Sequence, residues 1–203
     1  MYNLCVELTS LRKAQCKILS ENIEKELKSL NIPNAKFTME FNEYDRNNVN
    51  LDCPNGADSI RFMFSANKGE PLKPLNKVVS GGEMSRFMLA IKSQLKNING
   101  ISTYIFDEID AGISGETART VAEKFIAISE NTQIIAVSHL PQVCAAAFEQ
   151  YLIYKCEVGE KTVTNVKSLD REQRIEEIVR LIGNTNSDAA KTHAEELLKR
   201  FNN

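Results

Sequence analysis

Thr103-Tyr104-Ile105-Phe106-Asp107-Glu108 is a short run of strand-forming residues that ends in two adjacent carboxylates. A second run, Ile134-Ile135-Ala136-Val137-Ser138-His139, repeats the design and ends in a histidine. Between them, Glu116 to Ser129 has the spacing of an amphipathic helix. Strand, helix, strand, with both strands too apolar for a solvent-facing sheet, is the pattern of a parallel α/β sheet covered on both faces. In such sheets ligands bind at the carboxyl ends of the strands, which is where Asp107, Glu108 and His139 fall.

The residue types at those ends suit phosphate chemistry. Asp107 can hold Mg²⁺ directly or through water, leaving Glu108 to orient and deprotonate an attacking water. His139, on the neighbouring strand, can donate to a γ-phosphate oxygen and help fix that water. Upstream, Val79-Ser80-Gly81-Gly82-Glu83 stands before a helix expected from Glu83 to about Lys96, with Met84, Phe87, Met88, Ile91 and Leu95 on its apolar seam. Two glycines let backbone amides approach an anion, Ser80 adds a hydroxyl, and a helix N-terminus adds unpaired N–H groups.

Outward from these motifs the pattern changes twice. Residues 4 to 30 read as one long amphipathic helix. Leu4, Leu8, Leu11 and Ile18 form one seam, and Leu19, Ile23, Leu27 and Leu30 continue it after a shift. The seam is narrow and flanked by polar residues, which fits a helix paired with one partner helix. After Pro33, alternation at 35–41, 49–51 and 60–64 predicts antiparallel strands with a turn at Pro54-Asn55-Gly56, followed by a stiff loop through Gly69-Glu70-Pro71 and Lys73-Pro74. Tyr151 to Cys156 and Lys161 to Val166 read as a hairpin through Gly159, and Arg171 to Ile182 and Asp188 to Phe201 as two closing helices.

Composition bounds the rest. With 203 residues, 42% hydrophobic and 26% charged, the chain is long enough for a sizeable core and shows no signature of disorder. No apolar stretch approaches the roughly 18 residues of a membrane span, and Met1 to Ser10 carries no secretion signal, so a cytoplasmic protein is expected. Five cysteines, an odd number without a CxxC pair, argue for reduced thiols rather than zinc or disulfides. A formal net charge of −2 supplies no global attraction for nucleic acid. Between Lys68 and Lys96, however, Lys73, Lys77, Arg86 and Lys92 add to a local basic excess over Glu70 and Glu83.

The motifs in this order resemble the second half of an ATP-binding-cassette head. Ser80-Gly81-Gly82-Glu83 resembles its signature motif, Asp107-Glu108 its Walker B end, Asp110 to Gly115 its D-loop and His139 its switch histidine. Asn67-Lys68-Gly69-Glu70-Pro71-Leu72-Lys73-Pro74-Leu75, Phe106 to Gly115 and Ser138-His139-Leu140-Pro141-Gln142-Val143 are more specific and resemble the RecN family of SMC-like DNA-repair ATPases. That resemblance implies an α/β C-terminal lobe of a P-loop ATPase head at 33–203, with 1–32 as a returning coiled-coil arm. It also implies ATP and Mg²⁺ in the complete head, an N-terminal lobe as partner, homodimerisation around ATP, DNA as the target of the whole protein, and a nucleoid-associated location. It makes Glu108 and His139 catalytic, Asp107 the metal ligand, and Ser80, Gly81, Gly82, Glu83 and Ser114 nucleotide contacts. Many D-loops carry an aspartate where this chain has Ser114, so no acidic D-loop role is carried over; a hydroxyl at Ser114 can still hydrogen-bond across an interface.

No Gly-x-x-x-x-Gly-Lys-Ser/Thr sequence occurs. The chain is therefore expected to be half of a head, inactive by itself and an ATP hydrolase only with its other lobe. The competing expectations are a head fragment of a chromosome-organising SMC ATPase, and a non-catalytic lobe that docks a partner through its long helix.

Overall fold

A computed structural model describes residues 2–42, 44, 55–77, 81–95, 101–159, 161–183 and 187–201. The strand expected at 49–51, Cys53, Ser80 and Lys96 lie outside these residues. The chain divides into two compact units, Met1–Asn99 and Gly100–Asn203.

The first unit opens with helix α1, Tyr2–Ser29, as the apolar seam predicts. Its burial switches along its length. Leu4, Leu11 and Ile18, seven residues apart, are exposed, whereas Ile23, Leu27 and then Leu30 are fully buried. The buried end packs on an antiparallel sheet of β1 (Lys36–Phe41), β2 (Ile60–Ser65) and β3 (Lys73–Pro74), in the order β1-β2-β3. Phe37 stands opposite Phe64 in that register. The loop expected to be stiff at Lys73-Pro74 contributes β3, an edge strand where a proline lacking its N–H is tolerated.

Helix α2, Gly81–Gln94, completes the unit. It starts two residues earlier than the sequence suggests, so the glycines form its first turn rather than a loop before it. Its buried set is also broader than the expected seam. Phe87, Leu89 and Ala90 are fully enclosed, while Met84, Met88 and Ile91 are half-buried, because α1 and the sheet grip it from two sides. Phe87 is the hub, its ring centre 5.2 Å from that of Phe37 and 4.8 Å from that of Phe64.

Two polar attachments fix α1 to this unit. Near its base, Glu24 accepts the Phe37 N–H at 3.1 Å and pairs with Lys36 at 3.2 Å. Higher up, Asp58 has a side chain only 2% exposed and accepts from Thr9 Oγ1 at 2.6 Å and Arg12 Nη1 at 2.7 Å. Arg12 Nη2 also donates to the Asn55 carbonyl at 2.8 Å, so a bidentate guanidinium holds the loop against the helix. Gly56 takes φ +82° there, and a Cβ would lie 2.9 Å from Leu8.

In the second unit, β4 (Thr103–Phe106) and β5 (Gln133–Ala136) pair in parallel, with Ile105 opposite Ile135. Helix α3, Gly115–Ser129, makes the crossover and covers one face, where Phe106 meets Phe125 at 5.1 Å. The expectation that both faces are covered is not met. Ile105 is 72% exposed, and Ile135 and Val137 about half exposed, because among the described residues this sheet has two strands and a single crossover helix. A short helix not foreseen from the sequence, α4 (Pro141–Ala145), follows His139. The hairpin of β6 (Tyr151–Val158) and β7 (Lys161–Ser168) then leads to α5 (Arg171–Ile182) and α6 (Asp188–Phe201). Asp170 and Gln173 form a reciprocal capping box on α5, and Gly183 ends it in the left-handed conformation. Ile178 and Val179 from α5, Ala190, Ala194, Leu197 and Leu198 from α6, and Ala145 from α4 make one core cluster.

Phe87→Ala is expected to destabilise the chain by about 3–5 kcal/mol, since it empties a three-ring contact in a closed core. Urea denaturation with an unchanged m-value measures this.

Candidate functional site

The site forms where β4 and β5 end. The Val137 N–H donates to the Phe106 carbonyl at 3.0 Å, so the two chain exits lie side by side. Both carboxylates after β4 are exposed, whereas the next two residues, Ile109 and Asp110, are buried. Burying that pair right after an exposed one requires a sharp reversal. Glu108 makes it by adopting a left-handed backbone, φ +55°. A non-glycine residue there costs about 1–2 kcal/mol, and such strain concentrates at functional sites. The turn is stitched by the Glu108 N–H donating to Asp107 Oδ1 at 3.0 Å, the Ala111 N–H to the Glu108 carbonyl at 3.1 Å and the Ile113 N–H to the Asp110 carbonyl at 3.3 Å.

Asp110 was quoted in the sequence only as part of a loop, yet it organises the second strand's exit. Its Oδ2 accepts from Ser138 Oγ at 2.6 Å and from the His139 N–H at 2.7 Å, and lies 2.9 Å from His139 Nδ1. The Ser138 hydroxyl in turn accepts the Leu140 N–H at 3.1 Å. The Cys144 thiol closes the loop by donating to the Ser138 carbonyl at 3.7 Å, and burial pushes that thiol up to about 11, with Glu177 and Asp110 adding to the effect. The His139 side chain itself is 74% exposed. With Nδ1 turned to the carboxylate, Nε2 is the nitrogen that faces outward. Any hydrogen bond between the ring and a ligand therefore involves Nε2.

Asp107, Glu108 and His139 are thus brought to one edge of the second unit. Ser114, at the N-cap of α3, is exposed and its hydroxyl makes no capping hydrogen bond. Gly81, Gly82 and Glu83 belong to the first unit, in the opening turn of α2, where backbone N–H groups lack partners within the helix. Arg86, one turn further on, is buried, which pulls its guanidinium below the ordinary range, with Glu83 opposing the shift. Among the described residues no three His, Cys, Asp or Glu side chains converge on a metal-sized site. Asp107 fits a Mg²⁺ ion that takes one carboxylate from the protein and its remaining ligands from phosphate and water.

Two measurements follow from this geometry. Glu108→Gly relieves the left-handed strain and is expected to raise stability by roughly 1 kcal/mol, whereas Glu108→Ala is not; comparing their denaturation midpoints reads the difference. Because the folded state raises the Cys144 thiol, the stability tied to its proton is complete below its ordinary value of 9.0 and disappears as pH rises through about 11. A loss of denaturation midpoint across that window, absent in Cys144→Ala, checks the sign.

No protein-family model matches the chain. The DNA repair protein RecN of Halalkalibacterium halodurans is 42% identical over 192 residues, 94% of this chain and 34% of that protein. RecN of Bacillus subtilis is 39% identical, over 95% of this chain and 35% of its own length. The chain therefore spans about a third of the length of these relatives. Among solved structures, the Smc head domain with coiled coil and joint from Pyrococcus yayanosii superposes with a TM-score of 0.53 at 20% identity, covering 85% of this chain and 30% of that one. Among the described residues, no helix is long and apolar enough to cross a membrane. The chain has the α/β fold of an Smc head domain and is similar in sequence to RecN proteins over nearly its whole length.

Proposed function

We propose that this chain supplies the hydrolytic half of a RecN-like ATPase head that acts in DNA double-strand-break repair and recombination. The observation that carries the reading is the shared edge of β4 and β5. There Glu108 is held in a strained turn beside Asp107, and His139 is held by Asp110 with one ring nitrogen outward. The relatives, named DNA repair proteins, support the cellular role.

In this reading ATP is bound by a second lobe carrying a phosphate-binding loop. That lobe also covers the exposed Ile105, Ile135 and Val137 face, which a parallel sheet does not leave to water. Mg²⁺, when bound, would neutralise phosphate charge, with Asp107 as its protein ligand. Glu108 orients the attacking water and takes its proton, and His139 helps fix that water by accepting a hydrogen bond at Nε2. Two heads pair around ATP. Ser80 and the first-turn amides of Gly81 and Gly82, with Glu83 beside them, then meet the γ-phosphate held by the opposite head, as helix N-termini meet anions. Ser114 hydrogen-bonds across the same interface. Residues 1–32 form the arm, whose exposed Leu4, Leu11 and Ile18 repeat at coiled-coil spacing and pair with a returning helix.

The test is a reconstituted head. The chain alone is expected to bind nucleotide weakly and to hydrolyse none, with turnover appearing when the second lobe is added. Glu108→Gln should keep ATP-driven dimerisation while lowering kcat by about 10²–10⁴-fold. Unchanged turnover would remove Glu108 from the mechanism, and hydrolysis by the chain alone would overturn the half-site reading.

A further inference from the structure

Asp110 is a buried carboxylate that accepts from both Ser138 and His139, and the roles given to Asp107, Glu108 and His139 do not account for it. Its carboxylate is 6% exposed, and one oxygen, Oδ2, takes two hydrogen bonds from one loop and lies against a ring nitrogen of the same loop. The two hydrogen bonds, from the Ser138 hydroxyl and the His139 N–H, fix the backbone where β5 ends. The third contact, His139 Nδ1 at 2.9 Å, acts on the side chain.

A carboxylate oxygen already accepting from a backbone N–H offers nothing for a bare ring nitrogen to accept. At 2.9 Å from that oxygen, a proton on Nδ1 is favoured over a lone pair there. The partner of one imidazole nitrogen sets the state of the other. In the neutral ring Nε2 then carries a lone pair and points outward, and it becomes a donor only when the ring holds a second proton. A histidine that is 74% exposed would otherwise sample several rotamers and both tautomers. The contact to a buried, immobile carboxylate removes that freedom.

We propose that Asp110 is the positioning residue of this site: it sets the orientation and the tautomer of His139, and does so from the turn that also holds Asp107 and Glu108. Both strand exits are thereby aligned by one group. Ser138 assists, because its hydroxyl accepts from the Leu140 N–H and so has its own proton directed at Asp110. The catalytic consequence rests on the ATPase reading above; the tautomer does not.

The test has two arms. In the chain itself, ¹⁵N NMR of the imidazoles distinguishes His139 from His193, the second of its two histidines, by comparison with a His193→Gln variant. His139 is expected as the Nδ1–H tautomer, shifting to a mixture in Asp110→Ala and largely kept in Asp110→Asn, whose amide oxygen can accept the same protons. In the reconstituted head, Asp110→Ala is expected to lower kcat by about 10–100-fold, the usual effect of removing a group that orients a functional histidine, with KM little changed and Asp110→Asn restoring part of the rate. A His139 tautomer that is the same in wild type and Asp110→Ala would overturn the proposal. So would equal loss of rate in the alanine and asparagine variants. If Asp110→Ala does not fold, Asp110→Asn and Ser138→Ala carry the first arm, and an Nε2–H tautomer in either of them and in wild type overturns it. Failure of the ATPase reading is seen separately, as turnover that survives Glu108→Gln.

Discussion

One carboxylate oxygen holds the candidate site together. The ends of two parallel strands are normally aligned by the sheet itself, but β4 and β5 are four residues each and pair only with one another among the described residues. Such a pair has little intrinsic rigidity. Asp110 adds what the ladder lacks, because it belongs to the β4 exit by covalent connection and to the β5 exit by hydrogen bonding. Its burial makes those bonds costly to break, since an unpaired buried carboxylate is unfavourable by several kcal/mol.

The same constraint explains the geometry of Glu108. Ile109 and Asp110 must both go inward, one for its apolar side chain and the other for its donors at Ser138 and His139. The chain can bury two consecutive residues after an exposed strand end only by reversing sharply, and the residue at the reversal takes the left-handed conformation. The side chain that gains exposure and orientation from this is the glutamate proposed above as the base. The strain persists at this position because the neighbouring residues pin the backbone on both sides.

Most elements were legible in the sequence because their patterns are local. The α1 seam, the alternation of β1 and β2, and the last two helices appear where periodicity puts them. Asp107, Glu108 and His139 were legible because polar residues interrupt apolar strands. Asp110 was not, since an aspartate among Ile109, Ala111 and Gly112 looks like ordinary loop chemistry until the fold brings Ser138 and His139 beside it. The exposed face of Ile105 and Ile135 was missed for a related reason: composition says that a strand wants covering on both sides, but not whether this stretch of chain supplies both covers. The start of α2 was misplaced because glycine is a poor helix former, whereas burial of Gly82 favours a residue without a side chain.

Helix α1 is fastened to its unit at two heights, by Glu24 near the base and by Asp58 about two to three turns after Tyr2. Its exposed seam and its buried seam are also offset around the axis. The helix therefore behaves as a keyed shaft. It cannot spin in its socket without pulling Arg12 and Thr9 off Asp58 and Ile23 and Leu27 out of the core. Its exposed seam is therefore presented at a fixed angle to the three-stranded sheet.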